Sequence, residues 1–228
     1  RENARRLRAQ ALLNPSLSAP YLVELKEAAR TARVREDDLH LVSWEDETDP
    51  KDPKEAARPG AERCTTVITT TPDDHMIIGH NEDFHPAAAG SICPLLVKLK
   101  DQIRFETAYY IGTLGGSSAS FVENRSARYA HIVNSLIDGD HFKGLPRHIV
   151  ARLLSESLNP LVDICHILRM QRHGSYTHTF IDMTRNSNPR LVRCFESTTD
   201  TYRQMETDIR EEPFVHTNHF LHPAFARV

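Results

Sequence analysis

The sequence predicts an α+β domain, with helices layered on antiparallel sheets. Three observations carry this. Residues 1 to about 44 place apolar side chains at helical spacing. From Cys64 onward come β-branched and aromatic runs separated by turn residues. A helical stretch, 145–171, then interrupts the strands before they resume.

The elements follow in order. RENARRLRAQALLN reads as a helix, and a proline-containing break leads into YLVELKEAARTARV. In that second helix Leu22, Leu25, Ala29 and Ala32 share one face, with charges on the other. Asp37 or Asp38 stands where the next helix would be capped. The stretch EDETDPKDPKEAARPGAE holds three prolines and one glycine among its charges, so 45–63 reads as an exposed linker. It divides a helical segment, 1–63, from the main domain, 64–228. At Cys64, CTTVITTT, a Pro-Asp-Asp turn and HMIIGHNEDF predict a hairpin. Further strands are expected at 95–100, 103–114, 128–136, 177–184 and 189–197. LPRHIVARLLSESLNPLVDICHILRMQ reads as two helices, with Pro146 in the first turn of one and Asn159-Pro160 between them. LGGSS at 114–118 lacks a following lysine and reads as a flexible turn near the pocket.

Composition narrows the function classes. The chain has 228 residues, 39% of them hydrophobic and 26% charged, with a net charge of −3. That balance suits a soluble globular protein and gives no electrostatic footprint for nucleic acid or an anionic membrane. No stretch approaches the roughly 20 apolar residues needed to span a bilayer. The four cysteines, Cys64, Cys93, Cys165 and Cys194, show no paired spacing, which points away from a disulfide framework and towards a reducing compartment. The chain opens on Arg1 rather than Met, leaving room for residues upstream. Thirteen histidines permit a metal site. His216-x-x-His219-x-x-His222 is the nearest to a ligand pattern, but Pro223 cuts off the helix it would need, and it reads as a polar loop. No metal and no cofactor is expected.

Cysteine alone at a strand head is usually a small hydrophobe. Cys64 differs in its company. It follows the linker, Thr65 and Thr66 come next, and one hairpin later stand His80, Asn81, Glu82 and Asp83. Antiparallel pairing brings the end of the second strand beside Cys64, so Asn81 and Asp83 are expected near Cys64, and, being two apart on a strand, on a shared face. A thiol, an amide and a carboxylate are the parts of covalent acyl chemistry: nucleophile, oxyanion donor, and an anion to orient a base. Cys93, Cys165 and Cys194 sit in apolar contexts and are expected in the core.

Cys64-Thr65-Thr66 and the Gly79-His80-Asn81-x-Asp83 motif resemble the start of the mature chain in the isopenicillin N acyltransferase (acyl-CoA:6-aminopenicillanic acid acyltransferase) family. YLVELKEAARTARVREDDLHLVSWEDE resembles the helices before its nucleophile, GLPRHIVARLLSESLNPLVDICHIL its Gly-x-Pro helix segment, and HTNHF (216–220) its late His-x-Asn-His-Phe motif. The resemblance implies an Ntn-hydrolase αββα sandwich, whose family pattern runs on past Val228 to a further Ser and Arg. It implies self-cleavage between Arg63 and Cys64 to leave an α/β chain heterodimer, and acyl transfer from a small amide or acyl-CoA-like thioester through Cys64. Asp83 would hold the freed α-amine, and Asn81 would orient the cluster or polarise the carbonyl. Thr177 stands where the family has a second oxyanion asparagine, and Asn134, Asn218 and His80 would contact substrate. A second reading follows from Arg63, where the family has Gly, and from Thr177: an unprocessed, weak or inactive homologue that binds a small molecule or partner. The expected location is cytoplasmic. The terminal Ala-Arg-Val is not the peroxisomal Ser-Lys-Leu address, which would be sought only in a continuation of the chain.

Overall fold

The computed structural model of the chain describes residues 1–44, 64–82, 89–100, 103–136, 143–184 and 190–225. The expected linker 45–63, with Arg63, and Asp83 of the polar cluster lie outside the described residues. Three helices come first: α1 (Glu2–Ala11), α2 (Pro15–Ala32) and α3 (Glu36–Ser43). α2 begins on a proline, whose missing N–H would be unpaired there anyway, and ends on Arg33 in the left-handed conformation (φ 55°). Its buried stripe is Tyr21, Leu22, Leu25 and Ala29. Ala32, expected on that stripe, is exposed, because the helix is ending there. α3 starts earlier than the sequence suggests. Arg35 is its N-cap, and Glu36, Asp37 and Asp38 all fall in the first turn, next to the positive end of the helix. They pair with Arg8, Arg5 and Arg1 at 3.1, 2.7 and 2.7 Å, so the basic face of α1 is spent partly on α3. Such half-exposed pairs add only about 0–1 kcal/mol each.

The strands are β1 (Cys64–Thr70), β2 (Met76–Glu82), β3 (Ile92–Lys98), β4 (Arg104–Tyr110), β5 (Ala119–Glu123), β6 (Arg128–Leu136), β7 (Ser175–Asp182), β8 (Leu191–Ser197), β9 (Tyr202–Asp208) and β10 (Phe214–His216). Between β6 and β7 lie α4 (Arg147–Ser155) and α5 (Pro160–Ile167). These strands all pair antiparallel. β3 to β9 form a seven-stranded sheet in chain order, and β10-β1-β2 form a smaller one. Every strand expected from sequence is present. β5, β9 and β10 are additional, and β5 shows that the LGGSS turn leads into a strand rather than an open loop.

Alternation along the strands separates two apolar cores. Tyr129, Phe180 and Phe195 point to one face of the large sheet, where they pack with Leu7, Leu25 and Trp44 of the first helices and Ile149 and Leu154 of α4. Their neighbours Ala130, Ile181 and Cys194 point to the other face, against Ile68 of β1 and Phe214 of β10. Helices, large sheet and small sheet are therefore three successive layers. Residues 1–44 belong to the same core as the main domain. On the outer face of the small sheet Val67, Ile77 and Val215 are 37%, 50% and 48% exposed, and no helix among the described residues covers them. No helix among the described residues is long and apolar enough to cross a membrane.

Candidate active site between the two sheets

The β1–β2 hairpin fixes the site through its register. Thr71 to His75 form the turn, with the Thr71 N–H donating to the His75 carbonyl at 2.8 Å and Asp74 in the left-handed region (φ 64°). This pairs Cys64 with Glu82, Thr65 with Asn81 and Thr66 with His80. Directly paired residues project to one face. Cys64, Thr66, His80 and Glu82 therefore share the inner face, towards the large sheet, while Asn81 is exposed on the outer face. The expectation that Asn81 joins Cys64 is corrected here. Its neighbours on either side are the residues that do, because a one-residue change of register exchanges the faces.

On the inner face a chain of hydrogen bonds runs from Glu82 to Asn134 of β6. Glu82 accepts from Tyr110 at 2.9 Å and from Ser118, and contacts His80 Nε2 at 2.9 Å. His80 Nδ1 meets Thr66 Oγ1 at 2.9 Å, and Thr66 donates to Asn134 Oδ1 at 2.7 Å. Thr66 has one proton and gives it to Asn134, whose Oδ1 can only accept. On the other side of the His80 ring, Nε2 faces the Glu82 carboxylate. Burial pushes the Glu82 carboxyl upward, but the hydrogen bonds from His80 and Ser118 and the nearby positive charge outweigh it and hold the group below its ordinary value.

The consequence falls on Asn134, which is fully buried. With Oδ1 bound to Thr66, its Nδ2 has no partner among the described residues. A buried unsatisfied donor costs about 1–3 kcal/mol, so its presence asks for a function. Thr177 is the cross-strand neighbour of Asn134 and equally buried, and its hydroxyl accepts the Asn134 N–H at 3.0 Å. It holds the asparagine in place.

The late motif arrives from the other side. The Cys64 N–H donates to Asn218 Oδ1 at 2.8 Å, and Asn218 Nδ2 donates to the Ser135 carbonyl at 2.6 Å. Sequence reasoning missed the anchor of this segment, Glu196. It is fully buried, accepts from the backbone N–H groups of Leu221 and His222 at 2.6 and 3.0 Å, and meets His216 Nε2 at 2.9 Å. Burial raises the Glu196 carboxyl, and these donors more than reverse that. A glutamate in a strand with apolar neighbours was its only signal. His219 bonds Thr217, and His222 accepts from Ala224, so the three histidines of the motif have separate partners. Of the other cysteines, Cys194 is buried, with its thiol pushed up to about 12 by desolvation, while Cys93 and Cys165 are half-buried.

Two cavities lie near the strands. An apolar groove of about 580 Å³, lined by Ile92, Pro94, Leu96, Phe121 and Ala119, reaches the residue next to Ser118. Another, of about 540 Å³, is formed by Tyr129, Asn159, Pro160 and Asp182 and shares no residue with the Cys64 cluster.

An α+β protein with a cysteine presented between two antiparallel sheets is the class that these observations define. The family model for acyl-coenzyme A:6-aminopenicillanic acid acyl-transferase matches residues 69–227, and the chain belongs to this family of acyltransferases. The match includes His80, Asn134, Thr177 and Asn218 and begins after Cys64. None of the curated proteins compared matches the chain.

Proposed function

We propose that the protein is a self-processing Ntn-type acyltransferase or hydrolase that carries the acyl group of a small amide or thioester on Cys64. The observation that carries this reading is the Cys64 N–H held by Asn218, with the buried Asn134 on the facing sheet leaving its Nδ2 unpaired among the described residues. Scission between Arg63 and Cys64 would turn the Cys64 N–H into an α-amine. Asn218 Oδ1 can accept from either, so the same contact serves before and after processing. A free α-amine titrates near 7.7–8.0, which suits a general base acting on its own thiol at neutral pH. The thiolate then attacks the substrate carbonyl, and the C–S bond forms as the carbonyl electrons move to oxygen. Asn134 Nδ2 donates to that oxyanion, taking the role expected of Thr177, which supports it from behind. Collapse expels the amine or thiol with the proton taken from Cys64, and water or an amine releases the acyl group. Asp83 is assigned to the α-amine, and the groove beside Ser118 is the natural lodging for the acyl group of an acyl-CoA-like substrate. The outer face of the small sheet is where the second helix layer of an αββα sandwich would lie.

The test is the intact mass of the purified protein under denaturing conditions, for the wild type and Cys64→Ser. Two chains, one beginning at Cys64, support the reading if the variant stays whole or is cut slowly. Full turnover by Cys64→Ala would sink it.

A further inference from the structure

We propose that Cys64, His80 and Glu82 form a site for one soft divalent cation, zinc first among them, which caps the thiol reversibly. The register places all three on one face, and their Sγ, ring nitrogen and carboxylate oxygen lie within 4.8 Å of one another. Among the described residues this is the one cluster of three such ligands. Zinc bonds of about 2.0–2.3 Å set tetrahedral ligand atoms roughly 3.3–3.6 Å apart, so the site closes with a contraction of about 1 Å, within the reach of side-chain torsions.

The surroundings are already those of a metal site. A metal-bound imidazole is oriented by a hydrogen bond at its other nitrogen, and a ligating carboxylate by donors at its free oxygen. His80 Nδ1 has Thr66 at 2.9 Å and Glu82 Oε2 has Tyr110 at 2.9 Å, while Ser118 donates to Oε1, the oxygen that faces His80. The cation would sit beside the 2.9 Å contact between His80 Nε2 and Glu82 Oε1. Binding leaves the hydrogen bonds from Thr66, Tyr110 and Ser118 in place, and the thiol of Cys64 gives up its proton to ligate. Thiolate and carboxylate neutralise the double charge, and the fourth tetrahedral position stays open to water. In the sequence His80 and Glu82 stand in the polar cluster one hairpin after Cys64, and the pairing is what brings them to its face. Binding stands on the geometry alone. That it silences the protein rests on Cys64 being the nucleophile.

The experiment titrates the reduced full chain with cobalt and then zinc. One equivalent of cobalt is expected to raise a thiolate-to-metal charge-transfer band, which zinc removes. Zinc is expected to release protons on binding, as thiol ligation requires, and to slow iodoacetamide labelling of Cys64 by about tenfold or more. Cys93 and Cys165 should label at their former rates in the same sample. Cys64→Ser should lose the band, and Tyr110→Phe should weaken binding about tenfold as the loss of an outer partner. No band, equal zinc affinity in Cys64→Ser and His80→Ala, or unchanged labelling of wild-type Cys64 at saturating zinc would each overturn the proposal. The labelling measurement needs no variant to fold. A protein that binds zinc at Cys64 yet transfers no acyl group keeps the site and loses only the enzymatic reading.

Discussion

The orientation of one amide decides what Asn134 can do. Thr66 claims its oxygen, and the buried nitrogen has no partner among the described residues. A donor fixed before substrate arrives costs no reorganisation during reaction, which is why such groups are worth so much. Asn134→Asp, which keeps the shape and removes the donor, is predicted to lower kcat by about 10²–10³-fold with Cys64 still alkylated at the wild-type rate. An unchanged kcat would remove Asn134 from the chemistry. Thr66 acts through Asn134 and is a positioning residue. Thr66→Val should lower kcat roughly five- to tenfold, the worth of one hydrogen bond, with KM little changed, and Thr66→Ser should restore it. A loss that serine fails to rescue would mean packing rather than orientation.

Elements deliver these residues, and here the sequence was legible in part. β6 spans the predicted 128–136, because RYAHIVNSL is rich in β-branched and aromatic residues and buried on both faces. β9 could not be read the same way. YRQMETD has no apolar face, since it lies at the edge of the large sheet. β10 is only three residues long, too short for any periodicity. The site was legible as a set of residue types near Cys64 but not as faces, since Asn81 and His80 differ by one position and only the turn after Thr70 decides between them. Tyr110, Ser118 and Glu196 join through tertiary pairing, which local sequence does not reveal. Glu196 bears on the whole late segment, as it holds both His216 and the backbone that follows Asn218. Glu196→Ala would strip a buried pair of one member and is predicted to cost about 3–5 kcal/mol, seen as a lower urea midpoint. A loss below about 1 kcal/mol would show that β10 is held by its strand pairing instead.

Taken as a whole, the molecule keeps several imidazoles in its interior without charge, His148, His131 and His178 among them. His131 and His178 are buried, stack with ring centroids 5.4 Å apart and share a 3.1 Å contact. Desolvation pushes His131 down to about 3, and desolvation with the nearby positive groups sends His178 well below its usual value. In the unfolded chain both take up protons near 6.5, so between that value and about 3 the unfolded state binds more protons. Stability is therefore full above about pH 6.5 and falls as the pH drops, by up to about 1.4 kcal/mol per pH unit for each imidazole. The urea midpoint should fall between about pH 7.5 and about pH 5, a range where Glu82 and Glu196 do not yet titrate. An unmoved midpoint would mean that these histidines find protons in the folded state.

The most direct measurement of the central claim is a denaturing mass spectrum, with peptide mapping, of the wild-type protein briefly exposed to an acyl-CoA thioester. The acyl mass is expected on the sulfur of Cys64, in a chain that begins at that residue. An uncut chain with Cys64 unmodified, or acyl mass only on another cysteine, would contradict it.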